Sequence, residues 1–83
     1  MTEPAGSAVP LSTLSSGQSA RVVFIEGGVG FRRKMTDMGI IPGKSITMAQ
    51  GWGRGPRVVV VEDTRVMLGH GMLHKILVSP EGS

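Results

Sequence analysis

A mainly β fold is predicted for this chain: a small, partly open β-barrel of about five short strands with one or two short inserted helices. Three observations carry that reading. Thirteen glycines in 83 residues are spread between apolar runs and not gathered in a repeat, which is the punctuation of many short strands and tight turns. Four consecutive valines, Val58 to Val61, suit a strand with both faces covered. The stretch from Phe31 to Gly43, FRRKMTDMGIIPG, reads as a helix too short to stand alone in water, followed by an abrupt turn into a strand.

The elements follow in order. Residues 1–9 are Ala, Gly, Ser, Pro and Thr with one acid and are expected to be a disordered tail. Pro10 to Leu14 reads as a helical turn with Leu11 and Leu14 pointing the same way, ended by Gly17. Ala20 to Glu26 is the first strand. Its faces do not alternate cleanly, which predicts a bulge or two-sided burial. Gly27-Gly28-Val29-Gly30 is a turn. In the helix, Phe31, Met35 and Met38 fall at i, i+4 and i+7 and form one apolar face toward the core, with Arg32, Arg33 and Lys34 on the other side. Gly39 stands where a left-handed cap is needed, and Pro42-Gly43 supplies the middle of a type II turn.

The second strand runs over Lys44 to Gln50, and Gly51 to Pro56 is a loop or hairpin tip. Arg57 to Glu62 is the valine-rich strand, and Asp63-Thr64 turns the chain into Arg65 to Leu68. Gly69 to His74 makes one helical turn, and Lys75 to Val78 is the last strand. Five short strands with two helical inserts close most easily as a small barrel. One domain, 10–78, is therefore expected, with 79–83 as a fraying C-terminal tail.

Composition excludes several function classes. The chain has no cysteine, so disulfides, thiolate metal sites and cysteine nucleophiles are ruled out, and a reducing compartment fits. No apolar run exceeds four residues, too short to span a membrane as a helix. The first ten residues carry Glu3 and no hydrophobic region, which is unlike a signal peptide. A cytoplasmic protein is expected. The net charge of +3, nine basic residues against six acids, permits an acidic partner, nucleic acid or a lipid head-group surface without demanding one.

Catalysis needs converging polar groups, and the six acids show no pair at helical spacing. Glu62 and Asp63 read as turn formers. Gly27, Gly28 and Gly30 ahead of a helix suggest either a phosphate cradle or tight turns, but no Gly-Lys-Ser/Thr follows at Walker spacing. Gly43-Lys44-Ser45 leads into a strand instead of a helix. His70 and His74 stand at i, i+4. They are either two exposed histidines or half of a surface metal site completed by another molecule, by Asp63 or by Glu62. Arg32, Arg33 and Lys34 either meet an acidic partner or solvate the helix. Trp52, flanked by glycines, either caps the barrel or stands out as a contact anchor.

A series of motifs then carries a resemblance. Pro10 to Gly17 is P-L-x-x-L-x-x-G, Gly27 to Gly30 is G-G-x-G before a basic helix, and Met38 to Gly43 is M-G-I-x-P-G. Gly55-Pro56 precedes the valine strand, and Leu68 to Val78 is L-x-x-x-M-x-x-x-I-x-V. Together these resemble the ferrous iron transport protein A (FeoA) family over nearly everything from Pro10 to Val78. The resemblance implies an SH3-like barrel. It also implies a small cytoplasmic accessory protein for the membrane ferrous iron transporter, ferrous iron transport protein B, docking on its cytoplasmic portion at the inner face of the membrane.

On that reading the contact residues are Arg32, Arg33 and Lys34 on the helix, and Trp52 and Arg54 in the loop. No cofactor is required, and His70 and His74 offer at most a surface or intermolecular site for an adventitious transition metal such as zinc. The protein is a monomer or weak homo-oligomer. The competing readings are a nucleic-acid-binding small barrel and a metal-binding regulatory module. Base stacking wants aromatic platforms, and with no Tyr, two Phe and one Trp the chain has few, so no nucleic-acid partner is expected.

Overall fold

The computed structural model describes residues 8–50 and 55–80. Along the chain the elements are β1 (Val9–Pro10), a 3-10 turn (Leu11–Thr13), β2 (Ser19–Ile25), α1 (Val29–Asp37), β3 (Ser45–Gln50), β4 (Arg57–Val61), β5 (Thr64–Leu68), α2 (His70–Leu73) and β6 (Ile76–Pro80). The six strands form one antiparallel sheet in the order β1-β6-β2-β3-β4-β5. The sheet curls around a single core to which β2 to β6, both helices and the 3-10 turn all contribute buried side chains. Every buried side chain among the described residues is apolar. Val59 and Val61 point into this core while Val58 and Val60 stay half-buried, so the valine strand is fully covered on one face and partly on the other.

The sixth strand is β1, which pairs Val9 with Val78 and Pro10 with Leu77. Two residues carry no readable alternation, and a proline survives in a sheet only at an edge or a strand end, so nothing local announces it. Pairing also takes in Ser79 and Pro80, opposite Arg21 and Ala20. The sheet thus begins one residue before and ends two residues after 10–78. Arg57 ties the far side of the sheet to the 3-10 turn, its Nη1 donating to the carbonyls of Leu14 at 2.9 Å and Ser12 at 3.3 Å.

The bulge expected in the first strand lies between Val22 and Phe24. Ala20 and Val22 point inward with a period of two, and the extra residue shifts the next inward position to Ile25. Val23 and Phe24 are left on the outer face, 45% and 50% exposed.

α1 starts at Val29, not Phe31, so Val29 and Gly30 belong to the helix and not to the turn before it. Gly28 takes an extended N-cap conformation, and its carbonyl accepts the Arg32 N–H at 3.1 Å. Of Gly27, Gly28 and Gly30, Gly27 alone has a positive φ. The helix ends in a Schellman cap. The Ile40 N–H reaches the Met35 carbonyl and the Gly39 N–H the Thr36 carbonyl, both at 2.9 Å, with Gly39 at φ +87°. A Cβ on Gly39 would meet only Val61 Cγ1 at an ordinary 3.7 Å. Gly39→Ala is therefore expected to cost backbone strain and not a clash, about 1–2 kcal/mol, read as a lower midpoint in urea denaturation with an unchanged slope.

The type II turn follows as expected: the Lys44 N–H donates to the Ile41 carbonyl at 3.1 Å across Pro42-Gly43, with Gly43 at φ +96°. It is bonded onto β2, where the Gly43 N–H donates to Val22 and the Val22 N–H donates to Lys44, each at 2.8 Å.

The β4–β5 hairpin turns at Glu62-Asp63, the two residues read as turn formers, and one residue before the expected Asp63-Thr64 turn. Val61 pairs with Thr64, leaving Glu62-Asp63 as the loop, and Glu62 has φ +57°. Lys44 Nζ donates to Glu62 Oε2 at 2.6 Å. That hydrogen bond, with the Lys44 charge second, holds the Glu62 carboxyl below its ordinary range. A lowered folded value stabilises above the unfolded carboxylate range and is lost as pH falls through the folded value. Glu62→Gln is therefore expected to make stability less pH-dependent between neutrality and about pH 3. The effect is small, because the pair is exposed and salt-screened. Denaturation midpoints at the two ends of that range check it.

Candidate functional site

The outward turn of Phe24 builds the most developed surface feature. Phe24 and Ile25 from β2, Val29, Arg32, Arg33 and Thr36 from α1, and Pro42 from the type II turn line an open groove of about 330 Å³. Each wall has a local cause. The β2 bulge turns Phe24 out, the Gly28 cap starts the helix early enough to place Val29 there, and the hydrogen bonds of Gly43 to β2 fix Pro42. Phe24 and Val29 are 50% and 73% exposed, two of four large apolar side chains so exposed among the described residues. Among the described residues, the guanidinium groups of Arg32 and Arg33 have no ion-pair or hydrogen-bond partner, and no acid lines the groove. Apolar walls beside two guanidinium groups suit an apolar side chain flanked by carboxylates.

The helix is held to the body by its opposite face. Met35 is fully buried, and Phe31 and Met38 pack half-buried against the core. Lys75 Nζ lies 5.1 Å over the Phe31 ring, a cation–π contact for which the sequence holds no signal.

His70 and His74 do converge. Their Nε2 atoms are 3.1 Å apart, with rings 4.6 Å between centroids and 85° between planes. Ser12 Oγ lies 3.3 Å from His74 Nδ1 across 62 sequence positions. Neither Glu62 nor Asp63 completes a ligand set: among the described residues no group of three or more His, Asp or Glu is placed to hold a metal ion. Nor does the groove gather every residue expected to meet a partner. Lys34 is exposed in the last turn of α1, off the groove lining, and Trp52 and Arg54 lie outside the described residues.

The model of the FeoA domain family matches residues 9–80, the same span as the paired sheet. The chain belongs to the FeoA family. No curated protein matches it. Among solved structures, it is similar to the crystal structure of an iron uptake regulatory protein (FeoA), at 32% identity and TM-score 0.85, covering 89% of this chain and 99% of that one. It is also similar to iron(II) transport protein A from Clostridium thermocellum, at 28% identity and TM-score 0.73, covering 98% of this chain and 46% of that one. The fold is shared with Stenotrophomonas maltophilia FeoA, a procaryotic SH3-domain protein solved with zinc, at 24% identity and TM-score 0.77 over 89% of this chain and 96% of that one. The partly open sheet described above is thus the SH3-like barrel of FeoA proteins.

Within the FeoA domain, the residue that sequence reasoning missed is Phe24. The non-alternating run Val22-Val23-Phe24-Ile25 marked a bulge, but the pairing partner, β6, decides which side the extra residue faces. No described helix is long and apolar enough to cross a membrane.

Proposed function

We propose that this FeoA-family domain is a non-enzymatic accessory protein that docks on the cytoplasmic portion of the membrane ferrous iron transporter, ferrous iron transport protein B, and modulates it. The observation that carries the reading is the groove between β2 and α1, lined by exposed Phe24 and Val29 and by Arg32 and Arg33, whose guanidinium groups have no partner among the described residues. Family membership supplies the pathway: relatives are named as an iron uptake regulatory protein and an iron(II) transport protein. The protein acts at the cytoplasmic face of the membrane. Its groove takes a segment of the transporter that presents an apolar side chain between carboxylates, and Lys34, Trp52 and Arg54 extend the contact.

Arginine and aromatic side chains are enriched at interface centres, while charges at the rim set the encounter rate. Binding of the purified chain to the solubilised intact transporter tests the proposal. Saturable capture is expected, with an association rate that falls as salt rises. A chain that fails to bind the intact transporter at low salt overturns the docking reading.

A further inference from the structure

The second candidate on the surface is the histidine pair, which lies outside the groove. We infer that His70 and His74 form a bidentate site for a borderline divalent transition-metal ion of the zinc class, with its remaining positions open to solvent. This goes beyond the transport reading and does not depend on it.

Two nitrogens held at zinc-ligand distance are about 3.3 Å apart at a tetrahedral angle and about 2.9 Å apart at a right angle. The Nε2 separation of 3.1 Å falls between these values. Without metal, the same geometry is satisfied by one ring donating N–H to the other. A cation that replaces the shared proton keeps this nitrogen separation, and the rings turn to aim both lone pairs at it.

Two exposed histidines one helical turn apart have no need to converge, since water satisfies each separately. His74 is held by a second contact. Its Nδ1 faces Ser12 Oγ at 3.3 Å. With Nδ1–H donating to the serine oxygen, the Nε2 lone pair is free for a ligand, the arrangement that orients metal-bound histidines in general. Ser12 is itself fixed. It follows fully buried Leu11, its carbonyl accepts from Arg57, and Thr13 Oγ1 donates to the Pro10 carbonyl at 2.8 Å. On the other side, fully buried Leu73 anchors the single turn of α2. The ring positions are therefore set by the core and not by α2 alone.

Imidazole nitrogens select the ion. Calcium and magnesium take oxygen ligands, and the usual order of divalent affinities places ferrous iron below nickel and copper. The pair is matched to zinc, nickel or copper(II), and poorly matched to the transported ion.

Isothermal titration of the full chain with zinc chloride, followed in parallel by NMR of the histidine rings, tests the assignment. One ion per chain at a submillimolar dissociation constant is expected, with shifts confined to His70, His74 and Ser12. His70→Ala and His74→Ala each abolish the binding. Ser12→Ala weakens it about 10-fold while the thermal midpoint measured in chelator stays unchanged, which a purely structural role for Ser12 would not produce. Absence of submillimolar binding overturns the site, as does binding that survives both histidine substitutions. An unchanged zinc affinity in Ser12→Ala overturns the positioning role of Ser12.

Discussion

Met35→Ala is expected to destabilise the domain by about 2–5 kcal/mol, the range for truncating a long apolar side chain in a packed core. Met35 is fully buried and is the one buried residue of α1. A nine-residue helix has no independent stability in water, so its position on the barrel rests on this side chain with half-buried Phe31 and Met38 beside it. Total stability for an 83-residue domain is about 4–12 kcal/mol at the usual value per residue. The loss is therefore a large fraction of the whole and lowers the thermal midpoint by roughly 10–30 °C. Met35→Leu conserves volume and is expected to cost less than about 1.5 kcal/mol, which separates cavity formation from loss of the thioether. Calorimetry of the three proteins checks both. A Met35→Ala midpoint within a few degrees of wild type would show that the helix is held by something else. Because Val29, Arg32, Arg33 and Thr36 line the groove from α1, the same substitution should also blunt partner binding.

Arg32→Glu/Arg33→Glu is expected to weaken binding to the transporter by more than about 30-fold, or 2 kcal/mol, the scale of an interface hot spot. The reversal turns two attractive charges into two repulsive ones in the groove lining. It should not unfold the domain. Both side chains are exposed, and neither guanidinium has a partner among the described residues. Moreover, α1 has no acid in its first turn. Negative charge in the first half of a helix complements the macrodipole, and positive charge opposes it. The arginines therefore sit where helix stability gains nothing from them, and glutamates there should leave the melting temperature unchanged or slightly raised.

Two comparisons sharpen the result. Phe24→Ala removes apolar lining and not charge, so it should raise the dissociation rate while preserving the salt dependence. Lys34→Glu lies off the groove lining and should weaken binding less than the double reversal. Surface plasmon resonance at several salt concentrations measures all four proteins. If the double reversal binds like wild type while remaining folded, the groove is not the docking surface.

Much of the fold is legible because its signals are local. Gly39 and Pro42-Gly43 state the helix stop and the turn through backbone conformations that most residues avoid. The i, i+4, i+7 spacing of Phe31, Met35 and Met38 states which face goes inward. The basic half of the site is legible for the same reason, since Arg32 and Arg33 are the reverse of that face. The apolar half is not. Phe24 belongs to a strand, strand residues alternate by default, and the shift that exposes it is a property of the β2–β6 ladder. The Asp63-Thr64 turn missed by one residue in the same way, because the register of Val61 with Thr64 places the loop at Glu62-Asp63.

The sequence alone determined the class of fold, the helix and its cap, the type II turn, and the inward and outward faces of α1. It also determined the absence of cysteine chemistry and, through its ordered motifs, the family. Tertiary structure alone decided that Val9-Pro10 adds a strand, that Phe24 faces out beside Arg32 and Arg33, and that Ser12 meets His74 across 62 positions. The division has a physical basis. Glycine and proline preferences and helical spacing act within a few residues and can be read in one dimension. Strand register, bulge direction and side-chain pairing are decided when distant segments share hydrogen bonds and a core, and only the folded chain brings them together.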